Sequence, residues 1–228
     1  MSFLRAAWLV ASKDLRVELR AREVVVAMSL FAALVVLLFA FAFVKEGQTT
    51  PDAAAGILWI TVALSGTLGL GRAFDREREG DTLSALLMAP VPRASIYVGK
   101  LIGIAFFMAA TELVAAPLVA IFFDVPFGAH ALPLAGLLAL GTVGYAAVGS
   151  LFAGMLSRNR GRHVLLNILL YPIIVPVLIA GARGTQALLV LPAPDTEQVW
   201  LWVRILAMFD VAFIILSLWT FEPLMTSD

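Results

Sequence analysis

Two carboxylates stand where an apolar sequence rarely tolerates them: Glu112 and Asp210 each fall inside a long run of uncharged residues. A carboxylate at mid-bilayer depth costs about 3 kcal/mol on insertion scales, so it faces the interior of a helix bundle or water. Three kinds of chemistry fit such a group: a polar patch on a substrate path, a contact between subunits, or a proton-binding site. A structural carboxyl held by a neighbouring hydroxyl fits equally well, with Thr111, Ser65, Thr61 and Tyr145 as candidate partners.

Other reactive constellations are missing. The two histidines, His130 and His163, fall in loops on opposite sides of the expected membrane and cannot share a metal site within one chain. There is no cysteine, hence neither a disulfide nor a thiolate site. Gly99-Lys100 is followed by Leu101 and lacks the upstream glycine of a phosphate-binding loop. No His-Glu-x-x-His and no Ser/His/Asp arrangement appears, so the sequence reads as non-enzymatic.

The elements that must position the carboxylates follow from composition. Of 228 residues, 61% are apolar and 14% charged, where a soluble domain is nearer half and a quarter. The 16 basic and 16 acidic side chains cancel and leave no electrostatic footprint for nucleic acid. A bilayer core needs about 20 helical residues per crossing. Runs of that kind predict an all-α membrane protein with six spans at about 24–44, 53–74, 96–123, 131–156, 164–182 and 199–221. The fifth contains Pro172 and Pro176, four apart, which predict a bend or break in that helix. After it, residues 182–198 are too apolar for a free loop and predict one or two short helices dipping back into the outer leaflet.

Basic residues set the orientation. Arg5, Lys13, Arg16, Arg20 and Arg22 precede the first span; Arg72, Arg76, Arg78, Arg93 and Lys100 surround the junction of spans two and three; Arg158, Arg160 and Arg162 join spans four and five. The alternate loops hold only Lys45 and Arg183, with Arg204 just inside the last span. Both termini are expected in the cytoplasm.

Two cytoplasmic features stand out. Residues 1–23 read as an amphipathic elbow helix in the headgroup plane, with Leu4, Trp8, Ala11, Leu15 and Leu19 on one face and basic residues elsewhere. Between spans two and three, alternating charges from Asp75 to Glu79 extend the second helix as a stalk. Gly80 can end it, and Asp81 can cap a new helix over 81–90 that carries Leu83, Leu86, Leu87 and Met88 before Pro90. An exposed Leu and Met cluster marks a protein contact, with docking into a partner's groove favoured by the stalk over folding back onto the chain's own helices or the lipid surface.

Six spans, an N-terminal amphipathic helix and a charged stalk bearing an apolar helix resemble the ABC-2-type export permeases. Finer stretches resemble the CcmB family, the membrane subunit of the haem exporter of cytochrome c maturation. They are Lys13-Asp14-Leu15 with Glu18 and Arg20; Ile57-Leu58-Trp59-Ile60; Arg72 to Gly80 running into Leu83 to Pro90; Gly99-Lys100; and Tyr171 to Pro176. The resemblance covers nearly the whole chain.

That resemblance implies a multi-pass protein of the bacterial inner membrane, present as two copies per complex. Its partners would be an ATP-hydrolysing subunit (CcmA-like), a haem-handling membrane subunit (CcmC-like), a small subunit (CcmD-like) and a haem chaperone (CcmE-like). The ATPase contact would comprise Glu77, Glu79, Gly80, Leu83, Leu86, Leu87 and Met88 of the stalk region, with Lys13, Asp14 and Glu18 of the elbow. Haem and ATP would be handled by partners, with no cofactor bound here; His130 reads as a solvated loop histidine before an axial haem ligand. Two other functions remain open: an ABC-2 permease for a lipid, glycan or drug, and an ion-coupled secondary carrier using Glu112 or Asp210.

Overall fold

Lipid offers no hydrogen-bond partner, so each apolar run must satisfy its own backbone, and a helix does so within one segment. The computed structural model describes residues 2–43, 51–79, 92–156, 162–190 and 193–226, and every regular element among them is helical. They are α1 (Phe3–Ala21), α2 (Glu23–Phe43), α3 (Pro51–Glu79), α4 (Arg93–Phe123), a 3-10 turn at Phe127–His130, α5 (Ala131–Met155), α6 (Arg162–Leu188) and α7 (Thr196–Thr226). Helices α2 to α7 are each long and apolar enough to cross a bilayer, and α1 is the elbow. The chain is a six-span membrane protein.

The order of packing follows the sequence closely. Helix α4 lies against α1, α2, α3 and α5; α5 in turn lies against α6 and α7, and α3 returns to touch α6. Helix α7 is peripheral. Its buried positions, Val199, Leu206, Asp210, Ser217 and Phe221, recur at steps of seven and four, a single narrow stripe. Trp202, Val203, Phe209 and Phe213 flank the stripe half-buried, and Trp200, Met208, Val211, Ile215 and Trp219 face outward, as a lipid-facing helix requires.

Spans two, four and five meet around Trp59. Its ring is buried in a slot that exists because residues 141 and 181 are glycines; a Cβ at either position would run into the indole. The indole N–H donates to Thr185 Oγ1 at 2.9 Å, which satisfies the one polar atom of the ring. Between membrane helices, packing and hydrogen bonds replace the missing hydrophobic drive, and here one side chain supplies both.

The break expected in the fifth span and the short helices expected after it are both corrected. Helix α6 runs without interruption through Pro172 and Pro176. Both prolines are exposed on the outward side of α6 beside Ile168, Val175 and Ile179, and the lost backbone bonds are tolerated as in other membrane helices. Nor is there a separate short helix over 182–190: those residues continue α6 to Leu188 and then turn. Asp195 closes the turn. Its N–H donates to Ala187 O at 3.0 Å, and its carboxylate accepts the Gln198 backbone N–H at 3.0 Å, an N-cap for α7.

Candidate functional site

The sequence places its most specific motifs at the basic end of the bundle, and there the elbow is clamped onto α4. The inward face of α1 is built from Ala6, Ala7, Val10 and Ala11, all buried. It sits directly on Gly99: a Cβ at that position would lie 2.6 Å from Val10 Cβ and 2.8 Å from the Ala7 carbonyl oxygen. One turn along, Lys100 Nζ donates to Asp14 Oδ2 at 2.6 Å, while Lys13 Nζ stands 3.1 Å from the other oxygen of Asp14. The Lys100 side chain is only 6% exposed. An ammonium so enclosed needs an anion within hydrogen-bond reach, since an uncompensated buried charge is strongly destabilising.

The expected apolar stripe of the elbow is thereby split. Ala11 turns inward, Leu15 is half-buried, and Leu4, Trp8 and Leu19 are exposed. The small residues make the protein contact, and the large ones are left exposed on the other face.

Glu18 works at the junction of elbow and first span. Arg22 adopts a left-handed conformation, φ 55°, which ends α1 and lets α2 start at Glu23. The buried Glu18 carboxylate accepts the Val25 N–H at 2.9 Å. That amide is one of the unpaired donors of a helix start, and a carboxylate there also meets the positive end of the helix dipole. Asp14 and Glu18, both expected at an ATPase contact, thus spend their carboxylates inside this chain. Glu77 and Glu79 belong to the last turn and a half of α3, which continues past its apolar portion; Gly80, Leu83, Leu86, Leu87, Met88 and the whole helix expected over 81–90 lie outside the described residues.

The two intramembrane carboxyls approach α5 from different sides. Glu112 accepts a hydrogen bond from the Thr142 hydroxyl. None of the four candidate partners is used: Thr61, Ser65 and Thr111 donate to carbonyls one turn back in their own helices, and Tyr145 donates to Ala63 O at 3.1 Å. Asp210 is packed against Gly144, with Oδ1 at 2.5 Å from where a Cβ would be, and neither of its oxygens has a hydrogen-bond partner among the described residues. Residues 142 and 144 are separated by about 200° around a helix, so the carboxyls share no site. Glu112 and Thr142 also border a cleft of about 680 Å³ between α4 and α5, whose other walls are apolar side chains such as Ala116, Ala120, Ala135 and Leu138. Both carboxyls packed within one chain, on opposite faces of one helix, count against a continuous polar path joining them.

Thr142 was missed in the sequence, though a signal existed. In an antiparallel helix pair, residues equally far from the connecting loop sit at equal depth, and Glu112 and Thr142 are equally distant from Phe127 in that loop. Thr142→Val is expected to destabilise the pair of helices by about 1 kcal/mol, the usual scale of an interhelical hydrogen bond in a membrane. The check is the thermal transition of the purified protein, with Glu112→Gln, which keeps an acceptor, losing less.

Fold and site together define a six-span helical membrane protein whose first helix is clamped to its third span. The family model described as CcmB protein matches residues 5–224, and the chain belongs to the CcmB family. Among curated proteins it is similar to heme exporter protein B of Rhodobacter capsulatus, 32% identical over 181 residues that cover 78% of this chain and 83% of the relative. The protein of the same name from Paracoccus denitrificans is 30% identical over 174 residues, covering 76% and 79%. That from Pseudomonas aeruginosa is 28% identical over 158 residues, covering 69% and 70%.

Proposed function

We propose that this chain is the membrane subunit of an ABC-type haem exporter in the bacterial inner membrane, acting in cytochrome c biogenesis and driven by ATP hydrolysis in a separate subunit. Membership of the CcmB family and the name shared by its relatives support the substrate class. The concentration of arginine and lysine at the elbow end supports a cytoplasmic position for that end and for both termini.

The observation that carries the mechanism is the Asp14–Lys100 clamp on Gly99. The ATPase subunit, of CcmA type, binds below the bundle at the stalk that prolongs α3. Its closure displaces the stalk and elbow, and because α1 is held to α4 by a buried ion pair and a glycine contact, the displacement passes into α4 as a rigid-body shift. Helix α4 is continuous from Arg93 to Phe123, so a push at its basic end reaches the Glu112 contact and the far surface. There it changes how haem-handling partners of CcmC and CcmD type sit, and a haem chaperone of CcmE type is released. Two copies of this chain serve two ATPase subunits.

Replacing Leu86 and Leu87 together with glutamate is expected to abolish co-purification of the ATPase subunit and release of the haem-loaded chaperone, while the variant still inserts in the membrane. Retention of both activities by that double variant would sink the proposed coupling route. The ion-coupled carrier needs no ATPase, so a stoichiometric ATPase in the purified complex eliminates it.

A further inference from the structure

A second cavity lies at the basic end, between α2, α3 and α6, and differs in kind from the apolar cleft beside Glu112. It measures about 340 Å³ and is bounded by Arg72, Asn167, Tyr171 and Thr67 on one side and by Phe31 and Leu68 among its apolar walls. The Thr67 hydroxyl lies 2.6 Å from Tyr145 Oη and 3.1 Å from Tyr171 Oη, which fixes the tyrosine ring at the cavity's edge. Arg72 ends the apolar part of α3 and is exposed. No ion pair to its guanidinium is present among the described residues, in contrast to Lys100.

The chemistry of these walls is directional. A guanidinium and an amide stand at the rim, where headgroups lie, and aromatic and aliphatic side chains continue into the membrane. Farther from the rim, α2 exposes Leu34 and Leu38 and α6 exposes Val175 and Ile179. A ligand matched to this arrangement has anionic oxygens at one end and a large apolar body at the other. Arginine binds carboxylate and phosphate through paired N–H donors, and the volume is at the small end of ligand pockets, enough for the charged edge of such a molecule but not all of it.

The geometry points to an anion-headgroup site at Arg72 and Asn167, which receives an amphipathic carboxylate or phosphate from the leaflet at the basic end and lays its apolar body along α2 and α6. Resting on the proposed function, the carboxylates are the two propionates of haem; the other source of the same chemistry is a phospholipid phosphate. Tyr171 and Phe31 wall the site, and Arg72 is the residue that selects charge.

The test uses the full chain in phosphatidylcholine nanodiscs. Haem, haem dimethyl ester and phosphatidylglycerol serve as probes, read by Soret absorbance for the porphyrins and by native mass spectrometry for the lipid. Arg72→Gln is expected to weaken haem binding about tenfold, the scale of one charge-assisted hydrogen bond. Arg72→Lys recovers part of the loss, Asn167→Ala loses less than Arg72→Gln, and Arg204→Gln, an exposed arginine of α7 outside the cavity, changes nothing. Haem dimethyl ester binds the unaltered chain as weakly as haem binds Arg72→Gln. A loss of phosphatidylglycerol retention alone in Arg72→Gln keeps the anion site and assigns it to lipid, and then the haem reading loses its support here. Unchanged binding of both probes in Arg72→Gln and Asn167→Ala overturns the site, and equal binding of haem and its diester overturns its haem reading. Haem binding that survives those variants leaves the export function standing without it.

Discussion

Asp14→Ala is expected to remove the carboxylate that the enclosed Lys100 ammonium donates to, destabilising the elbow's docking by about 3 kcal/mol, the lower part of the range for breaking a buried pair. The proposed force path then fails between elbow and α4, and ATP hydrolysis proceeds without chaperone release. A cross-link separates loss of docking from loss of charge. The chain has no cysteine of its own, and a Cβ at Gly103 would lie 3.7 Å from Asp14 Cβ, within the usual Cβ separation of a disulfide, about 3.5–4.5 Å. Asp14→Cys with Gly103→Cys is therefore expected to be inactive when reduced and to regain release when oxidised. Recovery on oxidation shows that elbow and third span move as one body. Failure to recover, with the disulfide formed and the fold intact, shows that the elbow must swing away, and the rigid-body step is then wrong.

Trp59→Ala carries the other large effect. Its indole fills the slot between Gly141 and Gly181 and bonds Thr185, so truncation leaves a void among three spans and an unpaired hydroxyl. Loss of a large buried aromatic costs about 3–5 kcal/mol. The expected result is a fall in the thermal transition large enough to deplete the folded protein in the membrane, measured by fluorescence-detected size exclusion after heating. Trp59→Phe keeps most of the packing and loses the Thr185 bond, so it should fall between. Gly181→Leu tests the same slot from the other side and should match Trp59→Ala. A Trp59→Ala variant as heat-resistant as the parent would mean that the three spans are held by something other than this contact.

The spans were legible because a bilayer imposes a length and an apolar character that one sequence displays directly. Helix α4 starts three residues before its apolar run and ends with it, and α5 differs by one residue at its end. The clamp was only half legible. Lys13-Asp14 and Gly99-Lys100 each drew notice as motifs, yet nothing in either announces that Asp14 and Lys100 pair across the fold, because the docking face beside them is three alanines and one valine. Small residues give little amphipathic signal, so the eye follows Leu4, Trp8 and Leu19, which point the other way. The prolines of α6 misled for a related reason: their cost depends on which face they occupy, and that face was unknown until the neighbours were placed. Glu112 was singled out and wrongly partnered, since which hydroxyl of α5 turns toward α4 depends on how the two helices pack: Thr142 does, while Tyr145 turns to Ala63. The helix expected over 81–90 lies outside the described residues, so its Leu and Met cluster keeps the standing that sequence alone confers.

The glycine contact between elbow and third span also constrains how the protein is made. Residues 3–21 leave the ribosome well before their docking surface, Gly99, Lys100 and Gly103, which is synthesised only after two spans and the intervening segment. Until then the small-residue face of α1 has no partner, and Trp8 and Leu4 must hold the helix in the headgroup layer. The Glu18 cap on Val25 can form at once, since both residues are local. The nascent chain thus waits with its hinge already set and its clamp open, and insertion of the third span is the event that closes it.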